Sequence, residues 1–222
     1  MRLRSAERWE HDRLASGLYA AVAARAWLGR PLAHLLWRAD VSRFYGERLR
    51  LRELPEPRAI LDVPCGAGVL LGGRDPPRRP RPRYVGVDLS NLMLARARRV
   101  AARRLAQVHL VRADAQQLPF ADGAFDLVLA HNSMHCFPEP ARAVRELARV
   151  LAPQGVLRGT AIVAGAGRRP DLVIRAALWL GMFSSRLQSD DVEAWLRGSG
   201  LGEVAVEASG AFRFFSARRT GP

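Results

Sequence analysis

At 222 residues, 49% hydrophobic and 25% charged, the chain has the size and balance of one globular domain with a substantial core, which excludes a disordered tail or a disulfide-stapled miniprotein. No apolar run reaches the roughly 18–20 residues of a membrane span, and the longest, Asp171 to Met182, is interrupted by Arg175. The formal charge of +14 is carried without a single lysine, in a composition rich in Ala, Arg, Gly and Leu that reflects GC-rich coding, so charge alone does not argue for a nucleic-acid partner.

The start, Met1-Arg2-Leu3-Arg4, has no apolar leader, and a cytoplasmic address is expected. Residues 1–55 read as a helical cap: Leu14, Leu18, Ala21 and Val22 share one helical face, and Pro31 is expected to open a second helix carrying Leu32, Leu35, Leu36 and Trp37. Pro55-Glu56-Pro57 is a joint to a core spanning 56–222.

Within that core, Ala59–Val63 reads as a short apolar strand running into the glycine turn Pro64-Cys65-Gly66-Ala67-Gly68, followed by a short helix ending near Leu71. The stretch Gly72 to Arg83, with four prolines, cannot be helical throughout and is expected to be a solvated Arg/Pro connector. Tyr84–Asp88 is a second strand, and Ser90 caps a helix through about Leu105. Val108–Val111 and Phe125–Ala130 are strands three and four. A helix from Pro140 to Leu151, closed by Gly155, precedes a fifth strand over Val156–Val163. An insertion over 167–188 contains an apolar helix from Leu172 to Leu187. Ser189 is expected to cap a further helix, and strands near Glu203–Glu207 and Phe212–Ala217 form a terminal hairpin. Strands alternating with helices mean an α/β, Rossmann-like doubly wound sheet in a single domain.

Three features converge at strand ends. The glycine turn lets backbone approach a ligand, and Asp88 follows Gly68 at about the 20-residue spacing that sets an acid against the ribose hydroxyls of a nucleoside. Asp114, just past strand three, is positioned for the exocyclic amine of an adenine. All lie at the carboxyl edge of a parallel sheet, where open α/β sheets bind ligands.

Leu61–Gly68, Val85–Ser90, Ala113–Ala115, Leu118-Pro119-Phe120 with Phe125-Asp126, and Arg145–Gly155 together resemble the motif series of the class I S-adenosylmethionine-dependent methyltransferases that act on small molecules. The resemblance covers about residues 58–163. It implies a seven-stranded sheet, mostly parallel, whose last strand is antiparallel, and S-adenosylmethionine as cofactor, with S-adenosylhomocysteine as product. Asp62, Gly66 and Gly68 would surround the methionine part, Asp88 the ribose, and Asp114 with Ala115 the adenine. Pro64, Ala67, Leu89 and His131 complete the implied set. Pro64 departs from the usual glycine and cannot donate an N–H.

Methyl transfer from an activated sulfonium needs alignment more than acid–base machinery. If a base is used, His135 and His131, after strand four, are the candidates. Tyr19, Trp27, Trp37 and Tyr45 from the cap, with Trp179, Met182 and Phe183 from the insertion, are candidates to wall an acceptor pocket suited to a hydrophobic or aromatic metabolite. Cys65 and Cys136 have no metal-ligand spacing, and no metal is expected. The expected partner is a small acceptor, with no membrane, and a monomeric or homodimeric state. Competing readings are an RNA methyltransferase using the arginines on phosphates, and a methyltransferase-fold protein without transferase activity.

Overall fold

The computed structural model describes residue 9 and residues 13–46, 59–71, 83–102 and 108–221. The Pro55–Pro57 joint, nearly all of the Arg/Pro connector and the expected helix end at Leu105 lie outside them.

Seven strands form one sheet in the order β3-β2-β1-β4-β5-β7-β6. These are β1 Ala59–Asp62, β2 Arg83–Asp88, β3 Val108–Arg112, β4 Phe125–Ala130, β5 Leu151–Ile162, β6 Leu201–Ser209 and β7 Phe212–Arg219. The first five pair in parallel, whereas β7 runs antiparallel to both β5 and β6. Strand order reverses between β2-β1 and β4, so β1 and β4 diverge at their carboxyl ends and leave the crevice where doubly wound folds bind ligands.

Alternation along the strands divides the core in two. Leu61, Val63, Val128 and Ala130 belong to one buried cluster, and Ile60, Leu127 and Leu129 to the other. Helix α3 (Asn91–Ala101) and helix α4 (Pro140–Val150) help cover the sheet. In α4 the residues Ala143, Val144, Leu147 and Ala148 are buried at helical spacing, and Pro140 sits in the first turn, where its missing N–H costs nothing.

The N-terminal helices, α1 (Arg13–Ala24) and α2 (Ala26–Trp37), sit over the carboxyl edge. They are fastened to the terminal hairpin: Ala211 N–H donates to Trp37 O at 2.9 Å, Asp40 N–H to Ser209 Oγ at 2.8 Å, and Arg43 pairs with Glu207. Helix α5 (Arg168–Trp179) packs beside α2, with Arg169 donating to Leu35 O at 3.2 Å, and α6 (Ser189–Gly198) follows.

Several expectations about element ends are corrected. Pro31 lies inside α2, which already starts at Ala26 after the extended Arg25. Residues 66–71 make successive turns rather than a short helix, with Gly68 N–H donating to Cys65 O and Leu71 N–H to Gly68 O. Gly155 does not close α4: the chain turns extended at Leu151 and enters β5, where Gly155 sits at an irregularity beside Gln154 at φ 63°. The insertion helix covers Arg168–Trp179 rather than Leu172–Leu187. It stops before Gly181, whose φ of 70° suits a helix end, and 180–188 return as a loop held by Ser184 and Ser185 N–H groups donating to His135 O. Ser189 is the first helical residue of α6, not its cap. Gln188 is the cap, its N–H donating to Asp191 Oδ2 at 2.6 Å.

Candidate active site

Where β1, β2 and β4 end, the chain builds a polar floor. Cys65 N–H donates to Val87 O at 2.7 Å and Val63 N–H to Leu129 O at 2.9 Å, so the turn after β1 is pinned to both neighbouring strands. Gly66 adopts φ +52°, a conformation that side chains disfavour, and nothing lies within 4 Å of where its Cβ would be. Its N–H donates to Asp88 Oδ2 at 2.9 Å, while Ser90 N–H donates to Oδ1 at 2.9 Å. Both oxygens of this nearly buried carboxylate thus accept from backbone N–H groups. Ser90 then caps α3, accepting from Met93 N–H and donating to Trp9 O at 2.9 Å. Past β3, Asp114 folds into a tight turn, accepting from the Gln116 backbone at 2.9 Å and from the Gln116 amide at 3.2 Å.

Above this floor is a cavity of about 930 Å³, at the upper end of the roughly 300–1,000 Å³ of small-molecule sites. Pro64, Gly66, Asp88, Leu89, Asp114 and Ala115 line it; Val63, Ser90, Met93 and Gln116, not singled out from sequence, join them. Asp62, Ala67 and Gly68 do not line it. Asp62 is turned into the core, accepting from Tyr84 Oη at 2.5 Å, and burial pushes its carboxyl up to about 7. Gly68 backs onto α3, where a Cβ would stand 3.2 Å from Ala97 Cα.

His131 and His135 both line the cavity, and burial keeps both neutral. His135 falls to about 3; its Nδ1 accepts from Ile162 N–H at 3.3 Å, which leaves the proton on Nε2, and its ring lies 4.1 Å from that of Phe183. His131 falls to about 4 through burial and the Arg158 charge. Neither of its ring nitrogens has a hydrogen-bond partner among the described residues, and its ring sits edge-on to Phe44. Beside it, Asn132 is fixed by Thr160 and bonds to the Tyr19 hydroxyl, whose pKa burial raises. Burial also lifts the Cys136 thiol to about 12.

The roof is apolar. Of the expected wall residues, Tyr19, Trp37, Tyr45, Met182 and Phe183 face the cavity, with Phe183 stacked on Trp37. Trp27 and Trp179 do not: they are 72% and 84% exposed on the outer faces of α2 and α5. Phe44 and Phe212 also contribute. They lie outside any motif, and no sequence signal marks them. Asn132 was findable as the neighbour of His131 after β4.

Residues 61–158 match the model of the methyltransferase domain family. Over this segment the chain is similar to S-adenosylmethionine-dependent methyltransferases of class I. It is 44% identical over 102 residues to the demethylmenaquinone methyltransferase of Thermus thermophilus, covering 46% of each chain. It is 40% identical over 127 residues to the malonyl-[acyl-carrier protein] O-methyltransferase of Legionella pneumophila, covering 56% of this chain and 44% of that one. The chain thus spans less than half the length of these relatives. A possible exported protein of Bordetella parapertussis has the same fold, with a TM-score of 0.71 at 20% identity over 93% of this chain and 79% of that one. S-adenosylmethionine is the cofactor of such domains. The floor suits it: a nearly buried carboxylate that lines the cavity stands beside a glycine whose missing side chain leaves open space. Among the described residues, no cluster could hold a metal, and no helix is long and apolar enough to cross a membrane.

Proposed function

We propose that this chain transfers a methyl group from S-adenosylmethionine to a small hydrophobic acceptor by in-line displacement. When bound, the cofactor supplies an activated sulfonium methyl. Asp88 accepts hydrogen bonds from the ribose hydroxyls, Gly66 leaves room for the nucleoside, and Asp114 with Ala115 faces the adenine. The acceptor occupies the apolar part of the cavity, where Tyr19, Phe44, Trp37 and Phe183 hold it and exclude water. Alignment of this kind supplies roughly 7–11 kcal/mol.

His131, neutral with both ring nitrogens free, accepts a hydrogen bond or a proton from the acceptor group. His135 acts as a positioning residue, since its Nδ1 is committed to β5 and its ring to Phe183. The carrying observation is the continuity of one cavity from the Asp88 carboxylate to the aromatic roof. Its walls also favour this reading over RNA methylation: among the described residues the sole arginine lining it is Arg142, too little charge for a phosphate backbone.

Calorimetry with S-adenosylhomocysteine tests the reading. The wild type should release heat on titration. Asp88→Ala should lose more than about 100-fold in affinity, as expected for removal of two charge-assisted hydrogen bonds. Absence of heat with the folded wild-type chain overturns the proposal.

A further inference from the structure

The outer surface of the roof is apolar where a roof facing water would be polar. On α1, Leu14 and Leu18 stand four residues apart and exposed; on α2, Trp27, Pro31 and Leu35 repeat the same spacing; on α5, Leu172, Ala176 and Trp179 follow at spacings of four and three. These three helices are neighbours, α1 packing on α2 and α2 on α5. Single exposed leucines are ordinary, but exposed apolar rows with a tryptophan on each of two adjacent helices are not.

These rows also continue into the cavity. Leu18, Leu32 and Leu180 are 69%, 38% and 40% exposed, and all three line it. They come from α1, α2 and the loop after α5, so the mouth is rimmed with apolar side chains on three sides. Around them arginines outnumber acids, with Asp40 just past α2 the exposed acid beside Arg30. Arg25, Arg30, Arg168, Arg169 and Arg175 are exposed on or beside these helices, while α1 and α2 contain no acid. The one acid of α5, Asp171, is occupied by Gly165 N–H at 2.8 Å.

The geometry points to a peripheral docking surface for an anionic lipid bilayer, through which a lipid-borne acceptor enters the cavity without crossing water. Tryptophan and leucine with arginine at their flanks is the composition of helices that lie in the headgroup region. The expectation of no membrane partner rests on span length, which is silent about a surface of this kind. Acceptor entry depends on the methyl-transfer reading above, whereas docking itself does not.

Flotation with vesicles tests it. The full chain should rise with equimolar phosphatidylglycerol and phosphatidylcholine at low salt and remain behind with phosphatidylcholine alone. Trp27→Glu combined with Trp179→Glu should cut the bound fraction at least about tenfold, and Arg175→Gln about fivefold. Both tryptophans are solvent-exposed, so the variant should keep wild-type heat with S-adenosylhomocysteine, which reports the fold. Wild-type protein that ignores anionic vesicles, or a double variant that floats as well as wild type, overturns docking. So does a dimer in sedimentation velocity that the double variant dissolves while vesicle binding is absent, because the face then belongs to a second copy. Heat with S-adenosylhomocysteine but no flotation removes this inference alone, and flotation without heat removes the methyl-transfer reading alone.

Discussion

The floor and the roof of the cavity are built on opposite principles. The floor is backbone: three strand tips tied to one another by N–H groups and one carboxylate, with Gly66 at a dihedral angle few residues tolerate. The roof is side chain: Trp37 stacks on Phe183, Phe183 lies against His135, and Phe44 sits edge-on to His131. A backbone surface is fixed by register and changes only when the fold changes. A side-chain surface can be repacked residue by residue. On the proposed function this divides the labour, with a constant nucleoside below and a variable acceptor above.

The strongest way to break that division is at Gly66. Gly66→Val should lower affinity for S-adenosylhomocysteine by at least about 100-fold, because its branches project into the open space beside Asp88, while the positive φ costs stability of about 1–3 kcal/mol. Calorimetry and thermal melting read the two effects separately. In the roof, Phe183→Ala should do the reverse. Loss of the contacts with Trp37 and His135 should cost about 2 kcal/mol of stability and leave cofactor affinity within about threefold. Equal losses of cofactor affinity at both sites would mean that floor and roof are one unit.

The same contrast explains what was legible in the sequence. The floor follows from short-range rules: an apolar strand, a glycine turn and an acid at a fixed spacing, which is why Gly66, Asp88 and Asp114 were found and do converge. Asp62 shares the motif yet faces the core, because a carboxylate at the last position of β1 meets the Tyr84 hydroxyl of β2, and pairing across strands is not written locally. The roof depends on how helices of low sequence complexity are rotated. Trp27 and Trp37 look equivalent in the sequence, but Trp37 turns inward where α2 meets the terminal hairpin, and Trp27 turns out. Phe212 reaches the cavity from a strand distant in sequence from every motif. The misplaced helix ends have a related cause: Gly155 reads as a helix stop only until β5 is seen to take over at Leu151.

The smallest effect sharpens the comparison through acid stability, since the buried groups below and beside the cavity titrate with opposite signs. Asp62, raised to about 7 from 3.8 by burial, contributes stability that is present below the unfolded value and lost as pH rises through the folded one. His131 and His135, lowered from 6.5 to about 4 and about 3 by burial, contribute stability that is present above the unfolded value and lost as pH falls through the folded ones. Between about pH 4 and 6.5 the unfolded chain therefore holds two more protons on the histidines, and the folded chain one more on Asp62. Among these three groups the histidines win by one proton, so stability should rise with pH by about 1 kcal/mol per unit across that window. His131→Phe removes one histidine, balances the remaining one against Asp62, and should flatten the slope. Chemical denaturation at a series of pH values measures it. A slope unchanged by His131→Phe would mean that His131 is protonated to the same extent in the folded and unfolded chain, and that burial beneath the aromatic roof does not keep its ring nitrogens free to face the acceptor.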